Sequence, residues 1–244
     1  MAGLNLSNIR LGLLAENLKA NTSLLGLHLC RKNLQDIDGE VLAQMLMDNT
    51  KLQKLELEGN KIGAVGIKPL AKALEDNYTL RFLDLESNPL TGLSKHDLIS
   101  KDFSKQDNSG IKAIGSMLRS NKKLLVLNLA NTGISVDGGD ILVDAMETNT
   151  TLINLEIADN GLSVVQIRKI QEYLTENKKA YDKERLQEFK ERKLMFDEDS
   201  SNKNLLDIEE KKKEESEIQQ KNKQQRLTDR EKRYADMVIS VEII

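Results

Sequence analysis

The feature that most constrains this chain is a leucine pattern that returns every 28 residues. Each copy has the frame L-x-x-L-x-L followed five residues later by another apolar residue. The copies begin at Leu24, Leu52, Leu80, Leu124 and Leu152. Three copies carry Asn at the ninth position, at Asn60, Asn88 and Asn160. Self-similarity at such a period predicts stacked units that bury their apolar faces only against one another.

The second half of each repeat predicts a helix, because two apolar columns four residues apart share one helix face. One column comprises Leu14, Leu42, Leu70, Ile114, Leu142 and Ile170, and the other comprises Leu18, Leu46, Leu74, Leu118, Met146 and Leu174. A third column is asparagine throughout, at Asn21, Asn49, Asn77, Asn121, Asn149 and Asn177. Since Asn tolerates the left-handed conformation, we predict that these residues end their helices in it.

The units therefore predict an α/β fold with six helices and five short parallel strands around one continuous core. The 28-residue strand–helix unit resembles the ribonuclease-inhibitor type of leucine-rich repeat, a solenoid with its parallel strands on the concave face. The resemblance covers a repeat domain at residues 1–177, which opens with a helical half-unit. It implies no single function, because inhibitors, immune sensors, GTPase-activating proteins and cytoskeletal proteins share this fold.

One unit is longer than the others. Leu80 and Leu124 are 44 residues apart instead of 28, and we assign the excess to an insertion at 91–109, between strand and helix. Long surface loops cost little free energy, so the insertion is either simply tolerated or a contact loop on a rigid scaffold.

The repeat pattern stops after Asn177. Residues 178–244 contain 17 basic and 17 acidic residues and neither Gly nor Pro, which predicts a charged helical tail. No apolar heptad persists for three cycles, so a self-standing coiled coil is not predicted. We expect two helices with a break near 197–204, and a tail that is partly disordered or lies on a partner.

The predicted strands place acidic residues on one surface. Residues that alternate with the inward leucines face the concave side, so neighbouring strands bring four carboxylates together. These are Glu56, Glu58, Asp84 and Glu86, with Lys54 and Arg81 expected to offset them and Phe82 expected as an exposed apolar contact. We interpret this group as a partner-binding surface; the alternative is a solvated acidic face.

Composition narrows the functional classes. Lys and Arg total 36 against 39 Asp and Glu, and only eight residues are Tyr or Phe, so a nucleic-acid-binding surface is not predicted. One cysteine and two histidines predict no disulfide framework and no histidine-rich metal site. No recognisable signal peptide or membrane span occurs, and no motif indicates a cofactor, a small-molecule substrate or an enzyme. We therefore expect an intracellular, cytoplasmic protein.

The sequence thus predicts a non-enzymatic scaffold that binds other proteins within a multi-subunit assembly. A short repeat block joined to a Lys/Glu/Gln-rich helix is similar to leucine-rich repeat subunits of ciliary and axonemal assemblies. That resemblance implies a structural role in the cytoskeleton, specifically in the axoneme. Two alternatives stay open: a small-GTPase regulator like the Ran GTPase-activating protein, and a soluble protein inhibitor.

Overall fold

The computed structural model describes residues 8–93 and 105–241; within this part, side chains are described for residues 10–93, 105–196, 210–221, 224 and 225. The helices are α1 (Asn8–Lys19), α2 (Asp36–Asp48), α3 (Ala64–Asp76), α4 (Ser109–Ser120), α5 (Val136–Thr148) and α6 (Val164–Val241). The strands are β1 (Gly26–His28), β2 (Lys54–Glu56), β3 (Phe82–Asp84), β4 (Val126–Asn128) and β5 (Asn154–Glu156). They form one parallel sheet in chain order, which confirms the α/β repeat fold.

The core lies between the sheet and the helices. Leucines at the middle of the strands and in the helix columns are almost completely buried, and Leu70 of α3 is 0% exposed. At the ends of the stack, Leu14 and Leu174 are only partly buried, because they belong to the first and last helices of the repeat. This pattern confirms that the units bury their apolar faces against one another.

The asparagines after the helices do not adopt the predicted left-handed conformation. Asn49, for example, has φ −76° and ψ 124°, which is extended backbone. Instead, the side chains join adjacent units: Asn77 Nδ2 donates to the carbonyl of Leu46, 2.9 Å away at the end of the preceding helix. Its Oδ1 accepts the backbone N–H groups of Thr79 and Leu80. The same bonds recur at Asn49, Asn121 and Asn149.

A second set of asparagines joins the units beyond the strands. Asn88 is 1% exposed, and its Nδ2 donates to the carbonyls of Leu57 and Leu85 at 2.9 and 3.0 Å. Its Oδ1 accepts the N–H of Ile62 in the preceding unit. Asn60 and Asn160 make equivalent bonds. One left-handed residue precedes the ninth position of each of the five units, at Arg31, Gly59, Ser87, Asn131 and Asp159.

The long unit is anchored where its extra segment begins and ends. Buried Thr91 donates through Oγ1 to the carbonyl of Gly133, 3.0 Å away, and its own carbonyl accepts the N–H of Asp107 at 2.9 Å. Residues 94–104 of the predicted insertion at 91–109 lie outside the described residues. The two ends of the excursion are therefore held together, and its role as a contact loop stays a prediction.

Helix α6 replaces a further strand–helix unit. It continues past Asn177, whose buried side chain donates to the carbonyls of Asn149 and Leu152, both at 3.0 Å. The helix also runs through 197–204, so the predicted break there is wrong. That segment holds Asp, Ser and Asn but no Gly or Pro, and such residues lower helix propensity without ending a helix.

Packing divides the chain into two units, Met1–Lys183 and Glu184–Ile244. The division falls close to the boundary that the sequence predicts after residue 177. In the second unit, the apolar side chains of Leu186, Phe189 and Phe196 are exposed. The described part of this unit is helix without a core of its own.

We predict that a chain ending at Lys183 folds by itself, because the buried core and both asparagine sets lie before that residue. Its thermal midpoint should lie within about 2 °C of the full-length value, as expected when no buried contact is lost. Differential scanning calorimetry of both chains checks this. An insoluble or non-cooperatively melting product would show that the tail contributes to the folded repeat domain.

Candidate interaction face

Equivalent residues of the five parallel strands lie side by side and form rows across the sheet. Each strand buries its middle leucine and turns its first and third residues outward. The register sets Lys54 beside Phe82 and Glu56 beside Asp84. We call the outward positions the strand face: Gly26, His28, Cys30, Lys54, Glu56, Glu58, Phe82, Asp84, Glu86, Val126, Asn128, Ala130, Asn154, Glu156 and Ala158. The four predicted carboxylates therefore share this face.

Lys54 is the central cation of the strand face. Its Nζ lies 2.7 Å from Glu56 Oε1 and 4.7 Å from the centre of the Phe82 ring. A cation over an aromatic ring is attracted to its π face. Phe82 is only partly exposed, whereas the sequence predicted an exposed apolar contact.

Two further contacts of the carboxylates were missed by sequence reasoning. His28 Nδ1 contacts Glu56 Oε2, and Arg31 donates to Glu58 Oε1 at 2.6 Å. Arg31 belongs to the left-handed position after β1, which the strand pattern alone does not place against the next unit. The one available signal was the 27-residue separation of Arg31 and Glu58, close to one repeat period.

Arg81 does not join the cluster. Its side chain is exposed, and it forms no ion pair with the four carboxylates in the described part of the chain. The physical reason is alternation: Arg81 comes one residue before the outward Phe82, so it is out of phase with the strand face.

Of the four carboxylates, the two that cations neutralise least are Asp84, the last residue of β3, and Glu86, two residues beyond it. Asp84 forms no ion pair with any described residue, and Glu86 Oε2 accepts a hydrogen bond from the Asn128 amide at 3.0 Å. Partial burial raises the pKa of Asp84, and the nearby charges of Glu86 and Glu58 raise it further. The backbone N–H of Glu86 and the charge of Lys54 act in the opposite direction.

The strand face has few groups suited to chemistry. Burial raises the pKa of the Cys30 thiol above its ordinary value, with the charges of Glu58 and Asp84 acting in the same direction. A thiol of this kind stays protonated near neutral pH and is a poor nucleophile.

Among the described residues, no group of three or more His, Cys, Asp or Glu side chains could hold a metal ion. No helix in that part of the chain is long and apolar enough to cross a membrane.

Comparison with known proteins supports the fold. A family model described as Leucine Rich repeat matches residues 48–71. A solved structure titled Leiomodin-1 Actin-Binding Site 2 (ABS2) superposes with a TM-score of 0.60 at 19% identity, covering 76% of this chain and 98% of that chain. The Caenorhabditis elegans tropomodulin C-terminal domain gives 0.57 at 18% identity, covering 72% and 98%.

No curated protein sequence matches the chain significantly. At these identities the structural likenesses concern the fold, which is a leucine-rich repeat solenoid. The ribonuclease-inhibitor type of repeat stays a prediction. The role of the strand face in partner binding also stays a prediction.

The raised pKa of Asp84 gives a prediction about stability. In the unfolded chain the carboxyl ionises near its ordinary pKa of 3.8, but in the folded chain it ionises at higher pH. Folding stability therefore falls as pH rises through this interval. Asp84→Asn should raise the thermal midpoint at pH 7, because it removes the partly buried charge. Asn can still accept the backbone hydrogen bond, as Asn128 does from Ala130 at 3.0 Å.

Thermal unfolding of Asp84→Asn at pH 7 and at pH 3 checks this prediction, with exposed Asp182→Asn as the matched control. The gain should be present at pH 7 and absent at pH 3, where Asp84 is protonated in both states. No gain at pH 7, or an equal gain at pH 3, contradicts the assigned electrostatics.

Proposed function

We propose that this chain is a non-enzymatic protein–protein interaction scaffold within a cytoskeletal assembly. Three observations support the proposal: the repeat fold, the strand face with two carboxylates that form no ion pair among the described residues, and the similarity to a structure of a leiomodin-1 domain. That neighbour, a leiomodin-1 domain, is titled as an actin-binding site. A short repeat block followed by a long charged helix is the layout that resembles axonemal subunits, and α6 agrees with it. The axoneme is the specific assembly that we propose.

The partner-binding surface in this proposal is the acidic part of the strand face. The observation that carries it is the uneven neutralisation of the four carboxylates. Lys54 and Arg31 form ion pairs with Glu56 and Glu58, whereas Asp84 and Glu86 form none among the described residues. Like charges on adjacent strands repel, and a cation supplied by a partner relieves this repulsion.

The proposed partner therefore contributes a basic segment that lies over β3. Charge pairs at an accessible surface raise the association rate and are weakened by salt, with a screening length of about 8 Å at physiological ionic strength. The predicted signature is a salt-dependent affinity that depends on Asp84 and Glu86 in particular.

The experiment is co-sedimentation of the full chain with polymerised actin and with isolated axonemes, over a salt series. Binding to at least one of them is expected. The variant Asp84→Asn with Glu86→Gln should weaken that binding about tenfold and flatten its salt dependence, since it removes two charges while keeping the side-chain shapes.

The matched control, Glu172→Gln with Glu176→Gln, removes the same charge from exposed positions of α6 and should bind like the unchanged chain. Absence of binding to both polymers contradicts the cytoskeletal role. Binding that is unaffected by the strand-face variant at every salt concentration contradicts the proposed surface.

A further inference from the structure

The last strand of the sheet has an open edge. In earlier units, the N–H groups after each strand donate to the next strand, as Leu57 does to Asp84 at 2.8 Å and Gly59 does to Glu86 at 2.9 Å. The equivalent N–H groups after β5 belong to Ile157 and Asp159. Neither has a hydrogen-bond partner within the part of the chain that the structure describes.

The same edge also has a backbone carbonyl without a hydrogen-bond donor among the described residues. The carbonyls of Leu25, Gln53, Arg81 and Leu125 each accept two N–H groups from the following strand. The equivalent carbonyl beside β5 is that of Ile153, and no donor reaches it from the described residues. One acceptor and two donors thus lie along the β5 edge with the spacing that a further parallel strand requires.

Apolar side chains are uncovered at the same place. Ile157 and Leu162 are only partly buried, whereas their equivalents one unit earlier, Leu129 and Ile134, are both 0% exposed. Both residues pack against the core, and among the described residues no further repeat unit follows β5 to cover them. A strand added at the edge would cover this apolar surface with its inward-pointing side chains.

The helix layer does not offer the same continuation. Asn77 can bond the carbonyl of Leu46 because α2 ends two residues later, which leaves that carbonyl without a helical partner. The equivalent carbonyl in α6 belongs to Leu174, and α6 continues, so the N–H four residues later occupies it. A complete further repeat unit, such as the first unit of a second copy, therefore could not form the asparagine bond to this carbonyl. A single added strand does not require that bond.

The charge at the edge defines the sequence of the added strand. Glu156 is exposed at the end of the row that runs through Glu56 and Asp84, and it has no ion pair in the described residues. Earlier in this row, Glu56 is contacted by His28 of the same row and by Lys54 of the neighbouring row. A basic residue opposite Glu156, with an apolar residue on each side of it, would satisfy both the charge and the apolar surface.

We propose that the β5 edge binds an extended segment of another protein as a sixth parallel strand with an apolar–basic–apolar sequence. The edge is separate from the acidic residues of β2 and β3, so this inference does not depend on the proposed function. Main-chain hydrogen bonds provide the affinity in such strand addition, and alternate side chains provide the specificity.

A synthetic nine-residue peptide tests the proposal. It copies residues 124–132, the segment around β4, with lysine in the place of Asn128; the control peptide carries glutamate there. Fluorescence anisotropy of the labelled peptides with the full chain should show the lysine peptide binding about tenfold more tightly, because the like charge of the control faces Glu156. No binding of the lysine peptide, or equal binding of both, overturns the proposal.

Backbone methylation of the peptide identifies the edge that binds it. In the sheet, the N–H of Val126 faces the preceding strand and donates to Arg81 O, whereas the N–H of Leu129 faces the following strand and donates to Glu156 O. Methylating the first of these nitrogens in the peptide should therefore abolish binding, and methylating the second should leave it unchanged. The reverse result would place the peptide on the β1 edge and overturn the proposal.

Hydrogen exchange of the full chain provides a site-resolved check. The amides of Ile157 and Asp159 should exchange at least about tenfold more slowly in the peptide complex, because each gains a partner. Unchanged exchange at both amides contradicts strand addition. Sedimentation of the chain without peptide should give the monomer mass over a concentration series; self-association that protects the same two amides would assign the edge to a second copy instead.

Discussion

The structure depends on buried asparagine side chains that satisfy backbone groups of the neighbouring unit. A strand of three residues and a helix of about three turns cannot form a stable fold alone. Their stacking leaves carbonyls at helix ends and N–H groups at turns, which would be costly to bury without partners. Asn77 and Asn88 supply both a donor and an acceptor at these points, so each of them joins two units while completing the turn of its own unit.

This linkage also determines where function can reside. Because each unit is held in the same register, equivalent side chains form rows across the sheet, and the sequence can vary along a row without disturbing the core. The row that contains Glu56 and Asp84 becomes a charged surface in this way. The linkage ends where α6 continues beyond Asn177, and within the described residues the last strand has unpaired backbone groups on its outer edge.

The period and apolar columns were sufficient to predict the element order, the parallel sheet and the shared face of the four carboxylates. Local conformational preference was a poorer guide. It suggested a left-handed backbone for the asparagines, whereas their side-chain bonds to another unit decide their conformation. Long-range pairing explains why Arg31 was missed, because it reaches Glu58 of the next unit from a turn. Arg81 differs for a local reason: it is out of phase with the strand face. The helix through 197–204 persists because nothing in that segment prevents it.

The most direct test of the central claim is the free energy of unfolding of Asn88→Ala, measured by chemical denaturation. Removing this side chain leaves the buried carbonyls of Leu57 and Leu85 and the N–H of Ile62 with fewer partners. We predict a loss of about 2–4 kcal/mol, since unsatisfied buried polar groups cost about 1–3 kcal/mol each. Exposed Asn154→Ala on the strand face, the matched control, should change stability by less than about 0.5 kcal/mol. An equally small effect of Asn88→Ala would contradict the view that asparagine side chains hold the units together.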